Sequence, residues 1–177
     1  MSRLEVVAVS FVVDSNSTGP DLRLHATYYR TALLLGLLKG EAVLDWAHDV
    51  IEHESNPPTG FLELALIPAS DLSALRHALW PLGIDPEPPN VVRAVLGLIA
   101  ADAASGRRTI PDTVTVLRQL RSLVSLPPEL SETIGVLVNT HMLAIAGLGE
   151  RPAKSEDTIA QWLTQFSGAT LIGEANR

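Results

Sequence analysis

Leu33-Leu34-Leu35-Gly36-Leu37-Leu38-Lys39-Gly40-Glu41, running on to Glu54, is the stretch whose reading decides the fold. As far as Leu38 it is apolar on every side. From Glu41 it divides, at 100° per residue, into an oily face of Val43, Trp46, Ala47, Val50 and Ile51 and a polar face of Glu41, Asp45, His48, Asp49 and Glu52. A helix enclosed by protein, followed by one lying half in water, predicts an all-α molecule.

Working outward, the spacing predicts a first helix over 21–39, with Arg23, Thr27, Arg30 and Thr31 on a polar side and Leu22, Ala26, Tyr29 and Leu33 on an apolar one. Gly40 is placed to end it or to form a tight junction. Asn56, followed by Pro57, and Ser70 are the expected caps of short helices over 61–67 and 71–82, the second with Leu72, Leu75 and Leu79 inward. Gly83 to Asn90 carries three prolines and reads as a stiff connection. A central apolar helix follows over 91–104. Thr109 caps a helix to Val124 whose core face is Val116, Leu117, Leu120, Leu123 and Val124. Pro128 opens a long helix to about Leu148, closed by Gly147, Gly149 and Pro152. Ser155 is the expected cap of a last helix built on Ile159, Trp162, Leu163 and Phe166.

The expected architecture is a compact bundle or stacked array of about seven or eight short helices. Residues 21–177 form one helical domain and residues 1–20 an N-terminal arm. Within the arm, Leu4–Val13 is rich in β-branched residues and reads as a short strand, pairing with Ala169–Ile172 or across a homodimer. Leu34-Leu35-Gly36-Leu37-Leu38 is echoed 61 residues later by Val95-Leu96-Gly97-Leu98-Ile99, as a stacked-helix repeat would be, although a leucine-rich chain also yields such echoes by chance.

Composition limits the function. The 177 residues contain no cysteine, which excludes disulfides and thiolate metal sites. Hydrophobic residues make up 46% and aromatics only 5%, so leucine, alanine and valine must do the packing. A net charge of −7 argues against nucleic acid, whose phosphates need a positive surface. No apolar run reaches the length of a membrane span, and Glu5 interrupts the one stretch resembling a secretion signal. The expectation is a cytoplasmic protein that needs no cofactor.

Chemical signals are sparse. Asp45, His48, Asp49, Glu52 and His53 pair at four-residue spacing, as metal ligands on one helix would, with Glu63 or His77 as a ligand from elsewhere. The same residues are also what the solvated face of an amphipathic helix looks like, and no HExxH motif accompanies them. His141 lies in the oily stripe of Leu130, Ile134, Leu137, Val138, Ala144, Ile145 and Leu148, so it needs a buried hydrogen-bond partner, with Asn139 and Thr140 beside it. His141, Trp46 and Trp162 are candidates to line a small-ligand pocket; Trp46, Trp80 and Trp162 also serve as core anchors. Arg107, Arg108, Arg118 and Arg121 form a local basic patch. There is no glycine-rich phosphate loop and no GxSxG elbow. The function expected is therefore non-enzymatic: an interaction or regulatory protein that binds another protein. The alternatives are a metal-dependent hydrolase using Asp45, His48 and Glu52, and a small-ligand-binding helical protein.

Overall fold

The computed structural model of the protein describes residues 19–171, and within them eight α-helices and one 3₁₀ turn. The helices are α1 (Gly19–Leu34), α2 (Gly40–His53), α3 (Thr59–Ala65), α4 (Leu72–Leu79), α5 (Pro89–Ala104), α6 (Ile110–Leu123), α7 (Pro128–Ile145) and α8 (Pro152–Leu163), with the 3₁₀ turn at Thr164–Phe166. The all-α expectation holds. The strand expected at Leu4–Val13 lies outside the described residues. Ala169 to Leu171 is not a strand; it sits against α5, where a Cβ on Gly97 would meet the Ala169 carbonyl oxygen.

α5 is the hub. It packs against α1 on one side and against α6, α8 and the 3₁₀ turn on the other. α1 also packs on α4, and α2 on α3 and α4, while α6, α7 and α8 pack on one another. Buried apolar side chains from all eight helices join in one core, including Ala26, Val43, Phe61, Leu75, Leu96, Leu117, Ile134 and Ile159. The fully enclosed Leu96 and Ile99 explain why α5 reads as apolar all round.

The leucine run behaves differently from its sequence reading. α1 stops at Leu34 rather than continuing to Lys39, because Gly36 takes φ +65° and closes a Schellman cap: its N–H donates to Leu33 O and that of Leu37 to Ala32 O. Gly40 does not end α1. It opens α2 pressed against the Ala69 carbonyl, where no side chain fits. Gly36 thus lies in a left-handed turn and Gly97 in mid-helix, so the echo between their two segments is not a structural repeat.

Three caps also differ. α3 is preceded by Pro58, not capped by Asn56. Asp71 rather than Ser70 caps α4, accepting from Ala74 N at 2.9 Å. Ser155 is the fourth residue of α8, which begins at Pro152. Thr109 caps α6 as expected, accepting from Asp112 N and donating to its carboxylate. Some inward-facing expectations fail near helix ends, where neighbours run out: Leu72, Leu123, Ile145 and Leu148 are exposed.

The polar side of α1 faces the connection after α4. Thr27, Arg30 and Thr31 are buried, not solvated. Arg23 donates to Gly83 O through Nε and Nη2. Thr27 Oγ1 accepts from Ile84 N at 2.7 Å and donates to Arg23 O. Arg30 donates to Ile84 O, pairs with Glu87 at 3.0 Å, and lies 4.2 Å over the exposed Trp80 ring. Spaced at i, i+4 and i+7, these three side chains clamp residues 83–87 of the connection that carries the three prolines. Trp80, expected inside the core, is instead the outer cover of Arg30.

Candidate functional site

The charged face of α2 falls where the helical wheel puts it. Asp45, His48, Glu52 and His53 are exposed and Asp49 is half-buried. Among the described residues, the His, Asp and Glu side chains whose ligand atoms lie within 4.8 Å of one another are Asp49, Glu52 and His53; Asp45, His48, Glu63 and His77 stand outside this group. His53 Nδ1 donates to the Asp49 carbonyl at 2.8 Å, leaving Nε2 as its one free ring nitrogen. Three donors within about one turn of the outer face of α2 can meet a hydrated cation at the surface.

Beneath this face Trp46 stacks on Tyr29 at 4.7 Å and meets Phe61 edge-on at 5.0 Å. Tyr28 and Tyr29 are in edge contact at 5.5 Å. Burial pushes the Tyr28 hydroxyl up to about 12, helped by the Asp102 carboxylate. Tyr29 is also raised, by burial first and then by Tyr28, Asp49 and Asp45.

His141 is enclosed at the α7–α8 contact, and its partner is not Asn139, which is exposed, but Ser155. The Ser155 hydroxyl donates to Pro152 O at 2.7 Å, so it accepts from His141 Nδ1–H at 2.9 Å. His141 Nε2 is buried without a partner among the described residues. A nucleophilic serine gives its proton to the imidazole. Here the proton is directed at a backbone carbonyl, and the pair serves as a pin between two helices. Trp162, half-buried, packs edge-on against Phe166 at 5.0 Å. Trp46 packs with α1 and α3 and His141 with α8, so the three residues expected to share a pocket lie in separate environments.

The four arginines do not form a patch either. Arg107 and Arg108 face Asp102 at 2.8 and 3.9 Å, and Arg108 also donates to Gly36 O. Arg121 lies over Gly135 of α7 and reaches Ser131. Arg118 is exposed on α6.

Two features have no counterpart in the sequence reading. One is a hollow of about 270 Å³ where the starts of α5 and α7 meet the 3₁₀ turn, lined by Val92, Leu96, Leu130 and Phe166 and, as its polar groups, Asn90 and Arg93. The other is the C-terminal end of α7. Gly147, at φ +71°, closes a second Schellman cap, with its N–H on Ala144 O and that of Leu148 on Leu143 O. This leaves Met142, Leu143, Ile145 and Leu148 exposed in succession, from 49% to 75%. The glycine at 147 signalled the cap, but nothing in the sequence signalled that, among the described residues, no helix covers it. Among the described residues no helix is long and apolar enough to cross a membrane.

Comparison of the chain with protein-family models, with curated proteins and with solved structures finds no match.

Proposed function

We propose that the protein is a non-enzymatic interaction module, acting in the cytoplasm, that binds another protein through the C-terminal end of α7. The observation carrying this reading is the exposure of Met142, Leu143, Ile145 and Leu148 together. Single exposed leucines are ordinary, whereas large apolar side chains grouped at one helix end mark surfaces that associate. Met142 and Ile145 lie three residues apart on α7, with Leu143 beside them and Leu148 just past the cap, its N–H on Leu143 O. Methionine adapts to partner shape, which suits a recognition surface.

A photo-crosslinking residue placed at position 142, compared with one at the exposed position 118 of α6, tests the proposal in cells. A discrete product with a second protein, formed from position 142 and lost on Ile145→Asp, is the expected result. Products that are absent, or the same from both positions, would refute it. A product of the chain with itself would assign this end of α7 to self-association instead.

A further inference from the structure

We infer that the hollow between α5, α7 and the 3₁₀ turn takes a small molecule consisting of an apolar body and one carboxylate. This does not depend on the protein-binding reading, since the exposed end of α7 contributes no lining residue. The floor is made of Val92, Leu96 and Phe166, all buried in the core, with the half-buried Leu130 as a wall. Such a surface favours hydrocarbon. Among the described residues, the polar side chains of the lining are Arg93 and Asn90, and none is a carboxylate.

Arg93 is exposed and has no ion pair or hydrogen bond to any described residue, whereas Arg30, Arg107 and Arg108 each face a carboxylate. Its guanidinium therefore has its donor fork available for an incoming oxyanion. Asn90 adds a second donor: its Oδ1 accepts from Val91 N at 3.0 Å, leaving the side-chain NH₂ uncommitted. A cation entering the hollow would meet a guanidinium, and a neutral hydrocarbon would leave both donors unused. An anion with an apolar tail satisfies floor and donors together.

Size narrows the class further. At about 30 Å³ for each water-sized group, a 270 Å³ hollow holds about nine of them. Medium-chain monocarboxylates such as octanoate match this. For a ligand of that size the dissociation constant should be on the order of 0.1–1 mM.

The test is a titration of the full chain with sodium octanoate to about 10 mM, followed through the methyl resonances of the protein by ¹H–¹³C NMR. Expected are saturable shifts at Val92, Leu96 and Leu130. Arg93→Gln should weaken binding about fivefold or more, with Arg93→Lys recovering part of it, and 1-octanol should bind about fivefold more weakly than octanoate. Arg93 is exposed, so its replacement leaves the fold intact and each variant can be read. Absence of saturable shifts, equal affinity in Arg93→Gln, or shifts centred on Met142, Leu143 and Ile145 would each overturn the assignment.

Discussion

Replacing Arg30 by methionine is the most direct test of how the N-terminal half is held. The Arg30 side chain is 4% exposed and its partner Glu87 8%, so neither charge has water to fall back on. Removing the guanidinium strands the Glu87 carboxylate and frees the Ile84 carbonyl, while Trp80 loses the cation beneath its ring. Breaking a buried pair from one side costs about 3–5 kcal/mol. For a chain of this length each kcal/mol lowers Tm by about 2–4 °C, so Arg30→Met should fall by about 6–20 °C. The double variant Arg30→Met/Glu87→Leu removes both charges at similar volume and should regain most of the loss. It should still fall short of the wild type by about 0.5–2 kcal/mol for the lost cation–π contact. Arg107→Met provides the contrast: its side chain is 55% exposed, so its pair with Asp102 is worth about 1 kcal/mol or less. Urea unfolding followed by far-UV circular dichroism measures all four proteins. A single variant losing less than about 1 kcal/mol, or a double variant no more stable than the single, would refute the clamp.

Two further outcomes follow from the buried polar groups. Ser155→Ala leaves the His141 Nδ1–H enclosed without an acceptor and should cost about 1–3 kcal/mol in urea unfolding. His141→Leu/Ser155→Ala, which removes both ends of the bond, should cost less than the single change; equal or greater loss would contradict the pin. The tyrosines give a pH dependence. Tyr28 is raised to about 12 when folded against about 10 when unfolded, so its contribution is fully present below pH 10 and is lost as pH rises towards 12. Tyr29 shifts in the same direction. These are the two tyrosines of the chain, so absorbance at 295 nm should show almost no tyrosinate in the native protein at pH 10. Half-ionisation at that pH would contradict the burial.

The helices were legible because apolar residues recur at the spacing of a helix face; Val43, Trp46, Ala47 and Val50 are buried as the wheel requires. Helix ends were less legible where neighbouring residues were both competent. Gly36 and Gly40 can each stop a helix, as Ser70 and Asp71 can each cap one, and the choice was made by backbone angles that packing sets. What the polar side of α1 faces was not legible, because periodicity separates oily from polar without naming a partner. Its partners at Gly83, Ile84 and Glu87 lie more than 50 residues further on. The hollow around Arg93 escaped for a related reason. It is assembled from α5, the start of α7 and Phe166, none of which carries a local pattern naming the other two. His141 was singled out correctly as buried, but its partner came from another helix.

Because the side chains of Arg23, Thr27 and Arg30 all hydrogen-bond to one distant segment, the two arginines as donors and Thr27 as acceptor, α1 is fixed in phase as well as in place. One residue inserted between Arg23 and Arg30 would rotate what lies beyond it by about 100°, swinging a guanidinium towards the leucines of the interior. The exposed residues from Ala146 to Arg151 face no such constraint. Length variation in this chain is therefore expected to gather between Gly149 and Arg151, past the apolar end of α7, and to spare the first helix.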